Sequence, residues 1–190
     1  MQCLILDDTA FVSEQCNTPA GALSGLYNVV PCAGGICGRY PLNVALNAAV
    51  IGQYIVCRSD TLDPQVRAYC NSHGYQFIHV RQGYAKCSCA IVGNQAVITA
   101  DKWIYHSIRE LNEIDVILIG EGSICLEGAE YGFIGGASGY DPGTNTLYFC
   151  GNIARHPDGE RISDFCRRHG VAVISLSDTV LTDIGGMIFC

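Results

Sequence analysis

Residues 66 to 78 read "VRAYCNSHGYQFI" and residues 162 to 174 read "ISDFCRRHGVAVI". Val66, Tyr69, Cys70, His73 and Gly74 match Ile162, Phe165, Cys166, His169 and Gly170 in the same order and spacing. Such self-similarity marks one supersecondary unit used more than once. Apolar residues three and four apart predict one buried face of a helix. The glycine just beyond suits the left-handed residue that commonly ends one. Asp63-Pro64 and Pro157-Asp158 mark the helix starts, since proline lacks only an amide hydrogen that the first turn leaves unpaired. "YQFIHV" and "VAVISL" then read as buried strands.

Two short strands precede each helix. In the first case they are "LNAAVIG" and "YIVCRSD"; in the other they are "YGFIGGASG" and "NTLYFCGN" around the turn "YDPGT". A middle stretch follows the same plan with "CSCAIVG", "QAVITAD", the helix "KWIYHSIRELN" capped by Asp101, and the strand "DVILIG". The prediction is three consecutive β-β-α-β units, near residues 43–80, 84–120 and 130–177, in one domain spanning residues 1–190. Helices are expected at 63–73, 102–112 and 158–169, on the outside, each burying its apolar face on its own unit. The tail "DIGGMIFC" stands where a further unit would begin. Residues 1–32 hold a strand "CLILDD", a poor helix "SEQCNTPAGAL" and a strand "LYNVVPC". The expectation is therefore a fourth unit split between 183–190 and 1–32, its terminal strands pairing to cover otherwise exposed sheet edges.

The composition narrows the class of partner. A chain of 190 residues that is 49% hydrophobic and 15% charged has enough apolar material for a sizeable core. Its net charge of -7 argues against nucleic acid or an anionic membrane, because both are bound through Lys and Arg. No apolar run approaches the ~18 residues that cross a bilayer, and Asp7 and Asp8 interrupt the first one, so no signal peptide is read. The twelve cysteines sit inside apolar segments such as "YIVCRSD" and "SDFCRRHG", where a free thiol behaves as a small hydrophobe. There is no C-x-x-C pair of the kind that holds zinc. A reduced, cytoplasmic protein with no metal and no cofactor is the expectation. A small-molecule ligand and self-association are left open.

Repeated β-β-α-β units in a ring resemble the pentein fold of the guanidino-group-modifying enzymes, an α/β propeller. Those enzymes include arginine and agmatine deiminases, dimethylarginine hydrolase and the amidinotransferases; non-catalytic relatives share the shape. "YPLNVALNA", "QGYAKCSCAIV", "YGFIGGASG" and "LTDIGGMIF" resemble more closely an uncharacterised bacterial family assigned to this fold. Penteins usually carry five units, against the four counted here. The resemblance implies a late catalytic cysteine in the pattern Gly-Gly-x-Ile-His-Cys. Gly185, Gly186, Met187, Ile188, Phe189 and Cys190 follow it with Phe189 in place of the histidine. It also implies a His-x-Asp/Glu base at the start of an earlier unit, where this chain has Phe133 and Gly135.

Candidate catalytic residues are accordingly Cys190, Cys87 and His156. A thiol becomes nucleophilic when a cation or imidazole lowers its pKa. Cys190 has only its position in its favour, and it reads equally as the apolar end of a closing strand. Cys87 has Lys86 beside it, although neighbours on a strand point to opposite faces. His156 belongs to the chain's His-x-Asp, His156-Pro157-Asp158, in which Asp158 reads as a helix-capping acid. Candidate ligand-binding residues are Asn43, Asn47, Lys86, Gly135, Gly136 and Asp183, all near the starts of units. Asp183 has the chemistry to hold a guanidinium through paired hydrogen bonds, or to cap the turn into "IGGM". Two function classes remain: a ring that binds a small ligand or a protein and lacks a full catalytic set, and a cysteine-dependent hydrolase or amidinotransferase acting on guanidino or amidine groups.

Overall fold

A computed structural model describes residues 3–15, 17–33 and 39–189 of the chain. Its strands form four three-stranded sheets, each built from one β-β-α-β stretch. The first contains β1 (Cys3–Leu6), β2 (Thr9–Ser13), α1 (Asn17–Leu23) and β3 (Asn28–Cys32). The second contains β4 (Ala49–Ile51), β5 (Tyr54–Cys57), α2 (Pro64–Ser72) and β6 (Gln76–His79). The third contains β7 (Cys89–Val92), β8 (Ala96–Thr99), α3 (Lys102–Arg109) and β9 (Asp115–Leu118). The fourth contains β10 (Ser138–Asp141), β11 (Thr146–Phe149), α4 (Gly159–Arg168) and β12 (Ala172–Ser175).

In every sheet the second strand is central. It pairs antiparallel with the first through a tight turn and parallel with the third across the helix. The hydrophobic pattern explains the layering. β7, β8 and β11 are mostly buried, whereas β6, β9 and β12 present their side chains half or fully to water.

The helices form where the sequence places them. Asp63 caps α2 by accepting from the Gln65 amide, and Asp101 caps α3 by accepting from Trp103 and Ile104. Gly74 and Gly170, at φ +75° and +70°, let the chain leave α2 and α4 just after His73 and His169. Asp158 differs from expectation. It precedes α4 but makes no capping bond to it. Its carboxylate accepts instead from the Gly120 amide at 2.7 Å and pairs with Arg161.

Two readings of the sequence are corrected. The first sheet takes all three of its strands from residues 3–32, because Asp7, at φ +51°, turns the chain back after Leu6 into β2. The tail is therefore not needed to complete that unit. It runs along the start of β10: Ile184 and Gly186 donate to the Gly136 carbonyl, and Met187 donates to Ser138. The segments "LNAAVIG" and "YGFIGGASG" are also only partly strand. Strand β4 begins only at Ala49, three residues into "LNAAVIG", and the chain turns through 133–136 before β10 begins at Ser138.

The described residues fall into two compact units, one up to Ala85 and one from Lys86 to Phe189. Each has its own core. In the first, Leu4, Leu6 and Phe11 pack with Leu46, Ile55, Val66 and Cys70. In the second, Ile98 and Ile119 pack with Ile134, Leu147, Phe149, Ile162 and Phe165. Neighbouring repeats thus share one core in pairs.

Candidate functional site

Within the unit that begins at Lys86, three chain segments meet side by side. They are the turn Lys86–Ser88 before β7, the turn Phe133–Gly136 before β10, and the tail from Asp183 to Gly186. The Gly136 amide donates to the Cys87 carbonyl at 3.0 Å, and the Gly186 amide donates to the Gly136 carbonyl at 2.8 Å. Glycine makes this approach feasible. A Cβ on Gly135 would overlap the Lys86 and Cys89 carbonyls, and one on Gly136 would overlap the Asp183 carboxylate.

Lys86 and Asp183 are the charged side chains of this meeting point. Lys86 is half-buried and its Nζ donates to the Gly135 carbonyl at 3.0 Å, in space that a Cβ on Gly186 would crowd. Asp183 is 9% exposed. One of its carboxylate oxygens accepts from the Phe133 amide at 2.9 Å and the other from the Gly185 amide at 2.8 Å. The carboxylate thus fastens the tail to the Phe133–Gly136 turn. A guanidinium would need those same two oxygens for a paired contact.

Cys87 is buried directly beside Lys86. Its neighbour Cys89 is fully enclosed, and burial pushes that thiol up to about 12 although the Lys86 charge pulls the other way. Ser88 is buried between them with its hydroxyl oxygen unpartnered. Its carbonyl accepts from the Thr99 hydroxyl at 2.8 Å, which fixes the turn to β8.

Of the sequence candidates, Lys86, Cys87, Gly135, Gly136 and Asp183 are brought together here. Asn43 and Asn47 belong to the other compact unit. Asn43 donates to the Tyr84 hydroxyl at 2.9 Å while its side-chain oxygen stays buried and unpartnered; Asn47 is 2% exposed. Cys190 lies outside the described residues. His156 is held in a separate turn, where its Nδ1 accepts from the Asp158 amide at 3.0 Å and its Nε2 is buried without a partner. The ring is therefore a neutral imidazole with its proton on Nε2, and the lone pair a general base would use is already engaged. The backbone amides of Phe133 and Gly185 escaped the sequence reading, because a backbone donor leaves no mark on residue type. Among the described residues no group of His, Cys, Asp and Glu is arranged to hold a metal ion. No helix among them is long and apolar enough to cross a membrane.

A model of a family of unknown function, DUF6873, matches residues 1–188. The chain belongs to that family. No curated protein matches the sequence. Among solved structures, the chain is similar to a cysteine-to-serine mutant of DDAH from Pseudomonas aeruginosa complexed with citrulline. The TM-score is 0.56 at 13% identity, over 93% of this chain and 67% of that one. It is similar also to a dimethylarginine dimethylaminohydrolase adduct with 4-chloro-2-hydroxymethylpyridine, with TM-score 0.53 at 13% identity, over 93% and 68%. The family member thus has a pentein-like fold of four mixed three-stranded sheets.

Proposed function

We propose that this DUF6873 protein is a pentein-fold binding module for a small ligand with an anionic group, lacking the full catalytic set of the guanidino-modifying enzymes. The arrangement at Lys86 carries the reading. A half-buried ammonium stands at the meeting point of the three segments, while both oxygens of Asp183 accept backbone amides. An ammonium there repels a guanidinium and attracts a carboxylate. Phe133 and Gly135 occupy the places where the enzymes resembled carry histidine and acid, so no base is supplied at that turn.

The test is thermal unfolding with succinate, citrate and agmatine. A ligand at a hundredfold excess over its Kd stabilises by about 2.7 kcal/mol, or roughly 5–10 °C in Tm for a chain of this size. A carboxylate should produce that shift in the wild type and not in Lys86→Gln. Stabilisation by agmatine alone would overturn the reading.

The alternative, a cysteine-dependent hydrolase or amidinotransferase, is favoured by the retained Gly185-Gly186-x-Ile188-x-Cys190 pattern. The same preparation distinguishes it. Chloroacetamidine labelling that is lost in Cys190→Ala but kept in Cys87→Ala would establish a nucleophile in the tail, and equal labelling of wild type and Cys190→Ala is the expected result.

A further inference from the structure

A cavity of about 370 Å³ lies between α4 and β9, lined by Ile117, Arg161, Asp164, Arg167 and Arg168. The chain has only 11 Lys and Arg and a net charge of -7, yet three arginines line this one opening against a single acid. Positions 161, 164 and 168 are three and four residues apart, so α4 projects them from one face. Arg161 is fixed from both sides: one guanidinium nitrogen pairs with Asp158, and the other donates to the Leu118 carbonyl of β9 at 3.1 Å. Arg167 pairs with Asp164 at 2.8 Å, with both side chains largely in water, where such a pair is worth little. Arg168 lies over the Phe165 ring at 5.5 Å and has no carboxylate partner among the described residues.

We propose that this cavity binds a small phosphate-type oxyanion. Ile117 supplies apolar lining. Arg167 and Arg168 supply planar forks of N–H donors that match two oxygens at a time, and Arg161, held by Asp158 and the Leu118 carbonyl, adds its charge and its remaining N–H groups. A singly charged carboxylate would gain little over Asp164, whereas a doubly charged phosphate draws on all three arginines and displaces Asp164 from Arg167. The net negative charge of the rest of the chain argues for a small anion and against a nucleic acid, whose grip depends on many phosphate contacts. In the sequence Arg167 and Arg168 lie inside the repeated stretch "ISDFCRRHG" at positions the repeat does not share. The site stands apart from Lys86 and does not depend on the function proposed above.

Side-chain NMR of the intact chain tests it, following the arginine Nε–H groups and the Ile117 methyls while inorganic phosphate and then pyrophosphate are added. Saturable shifts confined to Arg161, Arg167, Arg168 and Ile117 are expected, with pyrophosphate the tighter of the two. Arg168→Gln, an exposed change that should not disturb folding, should weaken pyrophosphate by about tenfold or more, the scale of one lost charge-assisted contact. Arg168→Lys should recover part of that loss, and Arg109→Gln on α3 should bind like the wild type. Shifts reproduced by sodium chloride at matched ionic strength would overturn the proposal, as would an Arg168→Gln titration equal to wild type. Tighter binding of a short oligonucleotide than of pyrophosphate at these residues would also overturn it, by assigning the cavity to nucleic acid.

Discussion

His156 shows how a single residue trades chemistry for structure. Its Nδ1 closes the turn onto the Asp158 amide, which forces the ring proton onto Nε2, where it has no acceptor. Burial lowers its pKa below the ordinary value near 6.5, and the Asp158 charge only partly opposes this. A histidine with a depressed folded pKa binds fewer protons folded than unfolded between the two pKa values. Its contribution is therefore fully present above about pH 6.5 and is lost as pH falls through the folded pKa. Urea unfolding at a series of pH values should show wild type losing stability between about pH 7 and pH 5 more steeply than His156→Leu. Parallel curves would mean that the ring reaches solvent. The glycines at 135 and 136 act oppositely, contributing no side chain at all so that carbonyls and a carboxylate can occupy the space.

Among the elements, the tail departs furthest from expectation, and its exposure explains why. If it were a closing strand, Ile184, Met187, Ile188 and Phe189 would all enter the core. In the structure Ile184 and Ile188 are 59% and 46% exposed. Met187 and Phe189 are half-buried, Phe189 stacking on Tyr148 at 4.9 Å. Deleting residues 183–190 removes that partial burial, four backbone hydrogen bonds donated from Asp183, Ile184, Gly186 and Met187, and the acceptor of the Phe133 amide. The combined cost is about 3–5 kcal/mol, within the ~5–15 kcal/mol a domain has to lose. The truncated chain should fold with a lowered urea midpoint, read by circular dichroism. A protein with no cooperative transition would restore the closing role. The helices, by contrast, were legible to within a few residues, because periodic apolar faces, Asp caps and terminal glycines are all local signals. The strand starts were not. Whether "YGFIGGASG" is strand or turn depends on Gly135 and Gly136 packing against Lys86 and Asp183, and these contacts span about 50 residues of sequence. The candidate site was legible as a set of residue types at unit starts, but its bonds through backbone amides were not.

At the scale of the whole molecule, the repeats work in pairs. The core of the Lys86–Phe189 unit joins Ala90, Ile98 and Ile119 of one repeat to Leu147, Phe149, Ile162 and Phe165 of the next. The other unit joins Leu6 and Phe11 to Ile55 and Val66 in the same way. A repeat that buries its face against a neighbour lacks an independent core, so stability belongs to the interface as much as to either partner. Phe165 is fully buried in that shared core. Replacing it with alanine should cost about 3–5 kcal/mol through lost burial and the cavity left behind. Native-state hydrogen exchange locates the damage. The Phe165→Ala change should lower amide protection in β8, which is in the other repeat of the pair, as much as in β11 beside the mutated helix. Loss of protection confined to β10, β11 and β12 would show that the fourth repeat opens alone, and the pair would then not be the folding unit.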